Sequence, residues 1–196
     1  MEFQPWPKIA RWNREILVTE KIDGSNAQVR FTPVTTPVDE AHAVDVFNGA
    51  VGPVALHVGS RKRWLQPGKQ TDNFGFAAWC AEHRDELYAL LGDGGHYGEW
   101  YGVGIQRGYG LHERRLALFN TRLTLEDCTI PNVDIVPTIH EGPVVDPNQF
   151  IDALQAQGSI LVPGAPAEGI VVYHKAAGTG FKILCEGDDI PKGVQR

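Results

Sequence analysis

Three charged side chains stand in stretches that otherwise read as apolar and extended, and a fourth, a lysine, stands in a loop between two such stretches. Lys21 sits in that loop between two β-rich runs and is followed at once by Ile22-Asp23-Gly24. Glu99 interrupts the aromatic stretch Tyr97-Gly98-Glu99-Trp100, and Glu168 opens the apolar run Gly169-Ile170-Val171-Val172. Lys182 sits between Phe181 and Ile183 near the end of the chain. A charge embedded in such a run costs free energy unless it is paired or liganded. Each one alone is compatible with a side chain reaching solvent from a half-exposed strand; the set points to one polar pocket cut into a sheet. A lysine in that pocket could act as a nucleophile once its amine has lost its proton, which burial or neighbouring positive charge favours. The glycine three positions on would let a ligand approach the backbone closely.

The elements that must position these groups are mostly strands. Runs at 16–20 and 27–31 read as extended, separated by a break that contains the tight-turn signal Asp23-Gly24. Further strands are expected at 56–65, carrying Ser60-Arg61-Lys62-Arg63, and at 97–101, 115–122, 135–139, 169–173 and 180–185. Residues 32–53, rich in Pro and Thr and then in Ala and Asp, read as an exposed excursion. The apolar spacing of Phe76, Ala77, Cys80, Leu87, Leu90 and Leu91 predicts a helix over 74–91, capped by Asp72 or Asn73. A second helix is expected over 147–157, stopped by Gly158. Many strands with two helices predict an α+β domain built around antiparallel sheets.

Composition agrees. The 196 residues are 42% hydrophobic, enough for one sizeable domain, and 22 Gly with 13 Pro exclude a long bundle or coiled coil. No transmembrane run or signal pattern is present, which predicts a cytoplasmic protein without a membrane partner. The net charge of −6 excludes a generally basic nucleic-acid coat but leaves room for local basic patches. Cys80, Cys128 and Cys185 are far apart and read as reduced thiols.

In order along the chain, Lys21-Ile22-Asp23-Gly24 with Asn26, then the Glu99 and Glu168 phrases, then a lysine-bearing last strand resemble the covalent nucleotidyltransferase superfamily of ligases and mRNA-capping enzymes. The phrase Glu20-Lys21-Ile22-Asp23-Gly24-Ser25-Asn26 most resembles the ATP-dependent RNA ligases of the phage type, and the likeness runs from about residue 19 to 182. The resemblance implies an α+β nucleotidyltransferase (ATP-grasp-like ligase) domain over residues 1–196, with two antiparallel sheets flanked by helices and no OB-fold. It implies that Lys21 takes AMP from ATP, passes it to an RNA 5′-phosphate, and that a 3′-hydroxyl then closes the phosphodiester.

The same resemblance distributes the other roles. Glu99 would bind the ribose hydroxyls, Phe119 would stack on adenine, and Glu20 would help fix the adenine edge, mainly through its backbone. Arg61 falls where the family has its arginine-bearing strand and would bind phosphate; Asn26 would orient a phosphate or a metal-bound water. Glu168 would hold Mg2+ or Mn2+, and Lys182 would neutralise the α-phosphate. Arg61-Lys62-Arg63, Lys175 and Lys192 are candidates for the RNA strands, and an end-processing or RNA-binding partner is compatible with this role. Phe119 as a core residue and the cluster at 61–63 as plain solvated charge remain open at this level.

Two departures stand out: Leu184 occupies the position of a second family lysine, and only fourteen residues follow Lys182. The second implies a catalytic domain alone, working in the cytoplasm, or in a host's cytoplasm if viral. A DNA ligase core and a non-catalytic module that binds nucleotides or RNA ends are the alternatives.

Overall fold

The computed structural model describes residues 2–124 and 126–187. Two compact units divide the chain, one comprising residues 1–21 and 137–196 and the other Ile22–Val136.

The first unit is built on a four-stranded antiparallel sheet. Its strands are β1 (Glu15–Lys21), β9 (Thr138–Pro143), β10 (Gly169–His174) and β11 (Thr179–Leu184), in the order β11-β10-β1-β9. Period-two alternation along β1 sends Ile16, Val18 and Glu20 inward and leaves Leu17, Thr19 and Lys21 on the opposite face. Ile16 and Val18 meet Ile170 and Val172 of β10 and Ile151 and Leu154 of a helix, α3 (Asn148–Gln157). Gly158, at φ 85°, ends α3 as its sequence predicts.

The second unit holds a seven-stranded sheet. Its strands are β2 (Ser25–Pro33), β3 (Asp45–Asn48), β4 (Pro53–Gly59), β5 (Trp64–Leu65), β6 (Gly94–Gly102), β7 (Arg114–Leu118) and β8 (Val133–Ile135). Their order is β3-β4-β2-β6-β7-β8, with β5 paired to β4. Two short helices, α1 (Phe76–Glu82) and α2 (Arg84–Leu91), supply Phe76, Ala77, Cys80 and Leu87 to a core with Val29, Phe31, Leu56, Val58 and Trp100.

Several expectations need correction. The second sheet is mixed, because β8 runs parallel to β7, so the fold is α+β with one antiparallel and one mixed sheet. Lys21 is the last residue of β1 rather than part of a loop, and the Asp23-Gly24 break joins strands of different sheets instead of closing a hairpin. The expected strand over 56–65 is interrupted by a turn closed by Ser60 N–H donating to the Arg63 carbonyl (2.9 Å), which takes Arg61 off the sheet.

The expected strand over 135–139 breaks at Pro137, which has no N–H for a ladder, and its two parts join different sheets. The helix expected over 74–91 breaks at His83, although Asp72 does cap it by accepting from Ala77 N–H (2.8 Å) and Ala78 N–H (3.1 Å). The excursion over 32–53 contains β3, whose Phe47 is buried in the core. β7 ends at Leu118, short of the strand end expected at 122.

Candidate active site

In the first unit, the register of the sheet gathers three of the charged residues. Lys21 lies opposite Gly169 on β10, and Gly169 lies opposite Leu184 on β11. Glu168 immediately precedes Gly169, and its carboxylate accepts from the Lys21 ammonium at 2.6 Å. Both side chains are mostly shielded, 22% and 15% exposed, so water screens this pair less than it does a fully exposed bridge. Lys182 lies opposite Val171, which in turn lies opposite Thr19, so Lys182 projects from the same face as Thr19 and Lys21. By ideal sheet spacings the Cα atoms of Lys21 and Lys182 are about 12 Å apart. Lys182 is exposed and makes no ion pair among the described residues.

Gly169 is required where these strands meet, because a Cβ there would lie 2.1 Å from the Ile183 carbonyl oxygen. Glu20 alternates with Lys21 and is 1% exposed. Its Oε2 accepts from Ile160 N–H (3.0 Å) and Leu161 N–H (2.9 Å), holding the loop that follows α3. Its backbone N–H donates to the Pro137 carbonyl (3.0 Å).

In the second unit, the sheet face opposite the core carries another group. Asn26 and Glu99 are directly paired across β2 and β6, and Gln28 pairs with Tyr97 one step along. Opposed pairs of this kind place their Cβ atoms about 5 Å apart. Glu99 is buried at 8% exposure, whereas Tyr97 is 56% exposed. Phe119 follows the end of β7, and its N–H donates to the Tyr97 carbonyl at 2.9 Å. At 44% exposure its ring is not a core residue. Arg61 is exposed in the 60–63 turn, which leaves β4 just after Gly59, the residue paired with Gln28.

The second unit also clamps the segment that follows Lys21. Asp23 N–H donates to the Tyr109 hydroxyl (2.8 Å), and Arg107 Nε donates to the Asp23 carboxylate (3.0 Å). Gly24 packs so closely on β6 that a Cβ would sit 2.5 Å from the Trp100 carbonyl oxygen and 2.9 Å from Glu99 Cγ. Two residues along β6 from Glu99, Tyr101 donates to Asp134 at 2.7 Å, and Arg115 meets both Asp134 oxygens. Burial, aided by the Asp134 carboxylate, raises the Tyr101 phenol above its usual range, which keeps it a neutral donor.

Sequence reasoning passed over Tyr97, Gln28, Arg107 and Tyr109. The first was legible by period two from Glu99; the clamp was not, since Asp23 and Arg107 are 84 positions apart. Among the strand candidates, Lys175 is held by Glu15 (3.1 Å) and Glu141 (2.7 Å), and Arg63 donates to the Thr71 carbonyl (2.8 Å). Lys62 is exposed, and Lys192 lies outside the described residues.

No curated protein sequence matches the chain. Among solved structures, it is similar to a mutant of Naegleria gruberi RNA ligase with ATP and Mn, at 17% identity and a TM-score of 0.58. That match covers 89% of this chain and 51% of the other. A second mutant of the same ligase, with AMP and Mn, matches at 16% identity and a TM-score of 0.57, covering 88% and 50%. The ligase with PPi matches at 18% identity and a TM-score of 0.53, covering 88% and 50%. The chain thus spans about half the length of the solved proteins it matches, and at these identities the likeness speaks for the fold. The model of the RNA ligase family matches residues 14–184, nearly the whole described chain, and the protein belongs to that family.

Proposed function

We propose that this chain is the adenylation domain, of nucleotidyltransferase type and without an OB-fold, of an ATP-dependent RNA ligase that works through a lysyl-AMP. The observation that carries the reading is the Lys21–Glu168 pair at the end of β1, with Lys182 on the same sheet face. Lys21 Nζ, having given up a proton, attacks the α-phosphorus of ATP. The N–P bond forms, the bond to the bridging oxygen breaks, and pyrophosphate leaves. Glu168 holds the amine in place beforehand. Lys182 meets the charge that develops on the α-phosphate, a preorganised electrostatic role.

Glu99 serves the ribose hydroxyls, Phe119 stacks on adenine, and Asn26 and Arg61 meet phosphate oxygens. Glu20 contributes by fixing the loop at 160–161. AMP then passes to an RNA 5′-phosphate, and a 3′-hydroxyl displaces it as the phosphodiester closes. Cytoplasmic repair of RNA breaks, with an end-processing partner, is the setting we assign to this chemistry.

Glu168 is also the carboxylate that would hold a divalent ion. No group of three or more His, Cys, Asp or Glu side chains able to hold a metal occurs among the described residues. That fits Mg2+ or Mn2+ bound through one carboxylate, water and the nucleotide's own phosphates. When bound, such an ion would screen the triphosphate's charge.

The test is incubation with α-labelled ATP and magnesium, followed by denaturation. Label should stay with the wild-type protein and with Lys8→Ala, and vanish in Lys21→Ala. Absence of acid-labile, lysine-dependent label in the wild type would overturn the proposal. Addition of a 5′-phosphorylated RNA should then move the label to the RNA end.

A further inference from the structure

Residues 2–11, which lead into β1, form no hydrogen-bonded element. Along this arm Phe3 is 90% exposed, Trp6 85%, Ile9 81% and Trp12 65%. These four apolar residues recur every third position. Lys8, Arg11 and Arg14 recur every third position in a second register, and all three are exposed. Glu2 is the one acidic residue among residues 2–14, in a chain whose net charge is −6.

Pro5 and Pro7 fix their own φ near −65° and drive the residues before them toward extended or polyproline-II backbone. A polyproline-II helix turns every three residues, with a rise of about 3.1 Å each. On that backbone positions 3, 6, 9 and 12 line up as an apolar, mainly aromatic stripe, and 8, 11 and 14 as a cationic one. A strand's period of two would scatter both sets across its two faces.

Among the described residues, the arm is tied down only at its root. The His174 Nε2–H donates to the Trp12 carbonyl at 2.8 Å, and Ala177 N–H donates to His174 Nδ1 at 3.1 Å, which fixes the tautomer. The Trp12 ring stacks on His174 at 5.6 Å, and Val144 N–H donates to the Arg14 carbonyl at 3.1 Å. Phe3, Trp6 and Ile9 therefore stand in solvent on a segment whose prolines have already removed part of its conformational freedom, the arrangement that lowers the cost of binding.

We propose that residues 3–14 are a docking arm for single-stranded RNA, with Phe3, Trp6 and Trp12 stacking on bases while Lys8, Arg11 and Arg14 follow the phosphates. Parallel stripes of aromatic faces and cations match a polyanion whose every repeat offers a π-face. An apolar protein groove would use the first stripe and leave the second unmatched. The inference rests on the reading that the chain acts on RNA, and it names a surface that holds the strand away from the reacting lysine.

The test uses the full chain and a fluorescent, 5′-phosphorylated 12-nucleotide oligo(U), with a duplex of equal length for comparison. Phe3→Ala/Trp6→Ala should weaken binding of the single strand at least about tenfold, the scale of lost base stacking. Lys8→Ala/Arg11→Ala should lower the slope of log affinity against log salt by about 1.5. Val51→Ala, at a fully exposed loop residue, should bind as wild type does. All variants should still become labelled on Lys21 by ATP, which also shows that they fold.

Unchanged RNA affinity in both double variants would overturn the proposal, as would a wild type that does not bind the strand. Loss of self-association in sedimentation, with RNA binding intact, would overturn it in favour of a contact between copies. Arm-dependent RNA binding without any label on Lys21 would leave the arm standing and defeat the adenylation reading; label without arm-dependent binding would do the reverse.

Discussion

Glu20 and Lys21 are chain neighbours with opposite duties. Lys21 looks out from the sheet toward Glu168, while Glu20 turns inward and receives two backbone N–H groups from Ile160 and Leu161. Removing that acceptor strands two donors, each of which costs about 1–3 kcal/mol when buried and unpaired. Glu20→Ala should therefore lower stability in urea unfolding by about 2–6 kcal/mol, and Glu20→Gln, which keeps an acceptor oxygen, should lose less. Equal stability of Glu20→Ala and wild type would remove the structural role. The sequence made Lys21, Glu99, Glu168 and Lys182 visible because charges in apolar runs stand out. Glu20 carries the same kind of signal, but its function depends on backbone groups some 140 residues away, and residue types do not encode those.

Whole strands had to be cut more finely than their composition suggests. Proline and short turns decide where a ladder stops. Pro137 divides one apolar run between two sheets, and Ser60–Arg63 turns another back on itself. The second break takes a candidate residue, Arg61, off the sheet. Where β10 and β11 meet, geometry is set by one missing side chain. Gly169→Ala would put a Cβ 2.1 Å from the Ile183 carbonyl oxygen, so β11 must move, and Lys182 with it. A displacement of about 1 Å at a reacting group costs on the order of 100-fold. We expect Gly169→Ala to form lysyl-AMP about 100-fold more slowly. Gly180→Ala, whose nearest neighbours lie 3.9 Å away, should label at the wild-type rate. Equal rates in the two variants would separate Lys182 from the chemistry.

Each of the two units has a core of its own. Ile16, Val18, Ile151, Leu154, Ile170 and Val172 form one, and the larger set around Phe31, Leu56, Phe76 and Trp100 forms the other. Ile170→Ala removes a fully buried side chain and should cost about 2–5 kcal/mol. If the cores are energetically separate, hydrogen exchange will quicken in β1, β9, β10 and β11 while β2, β4 and β6 keep their protection. Uniform quickening would show a single cooperative unit. The division itself was not legible in the residues. The chain crosses between units at 21–22, beside the short break at 23–26, and at 136–137, at the single Pro137, and neither is the long Gly, Ser or Pro run that usually marks a linker. What was legible was the order of the charged groups, because that order survives whichever sheet each strand joins.

The alternation along β1 also limits how a gene for this chain can change length. One codon gained or lost between residues 15 and 20 would invert the strand, sending the carboxylate outward and turning the ammonium toward the Ile160 and Leu161 N–H groups, which need an acceptor. Insertions and deletions in descendants of this sequence should accordingly gather at tips such as 176–178 and spare the stretch leading to Lys21.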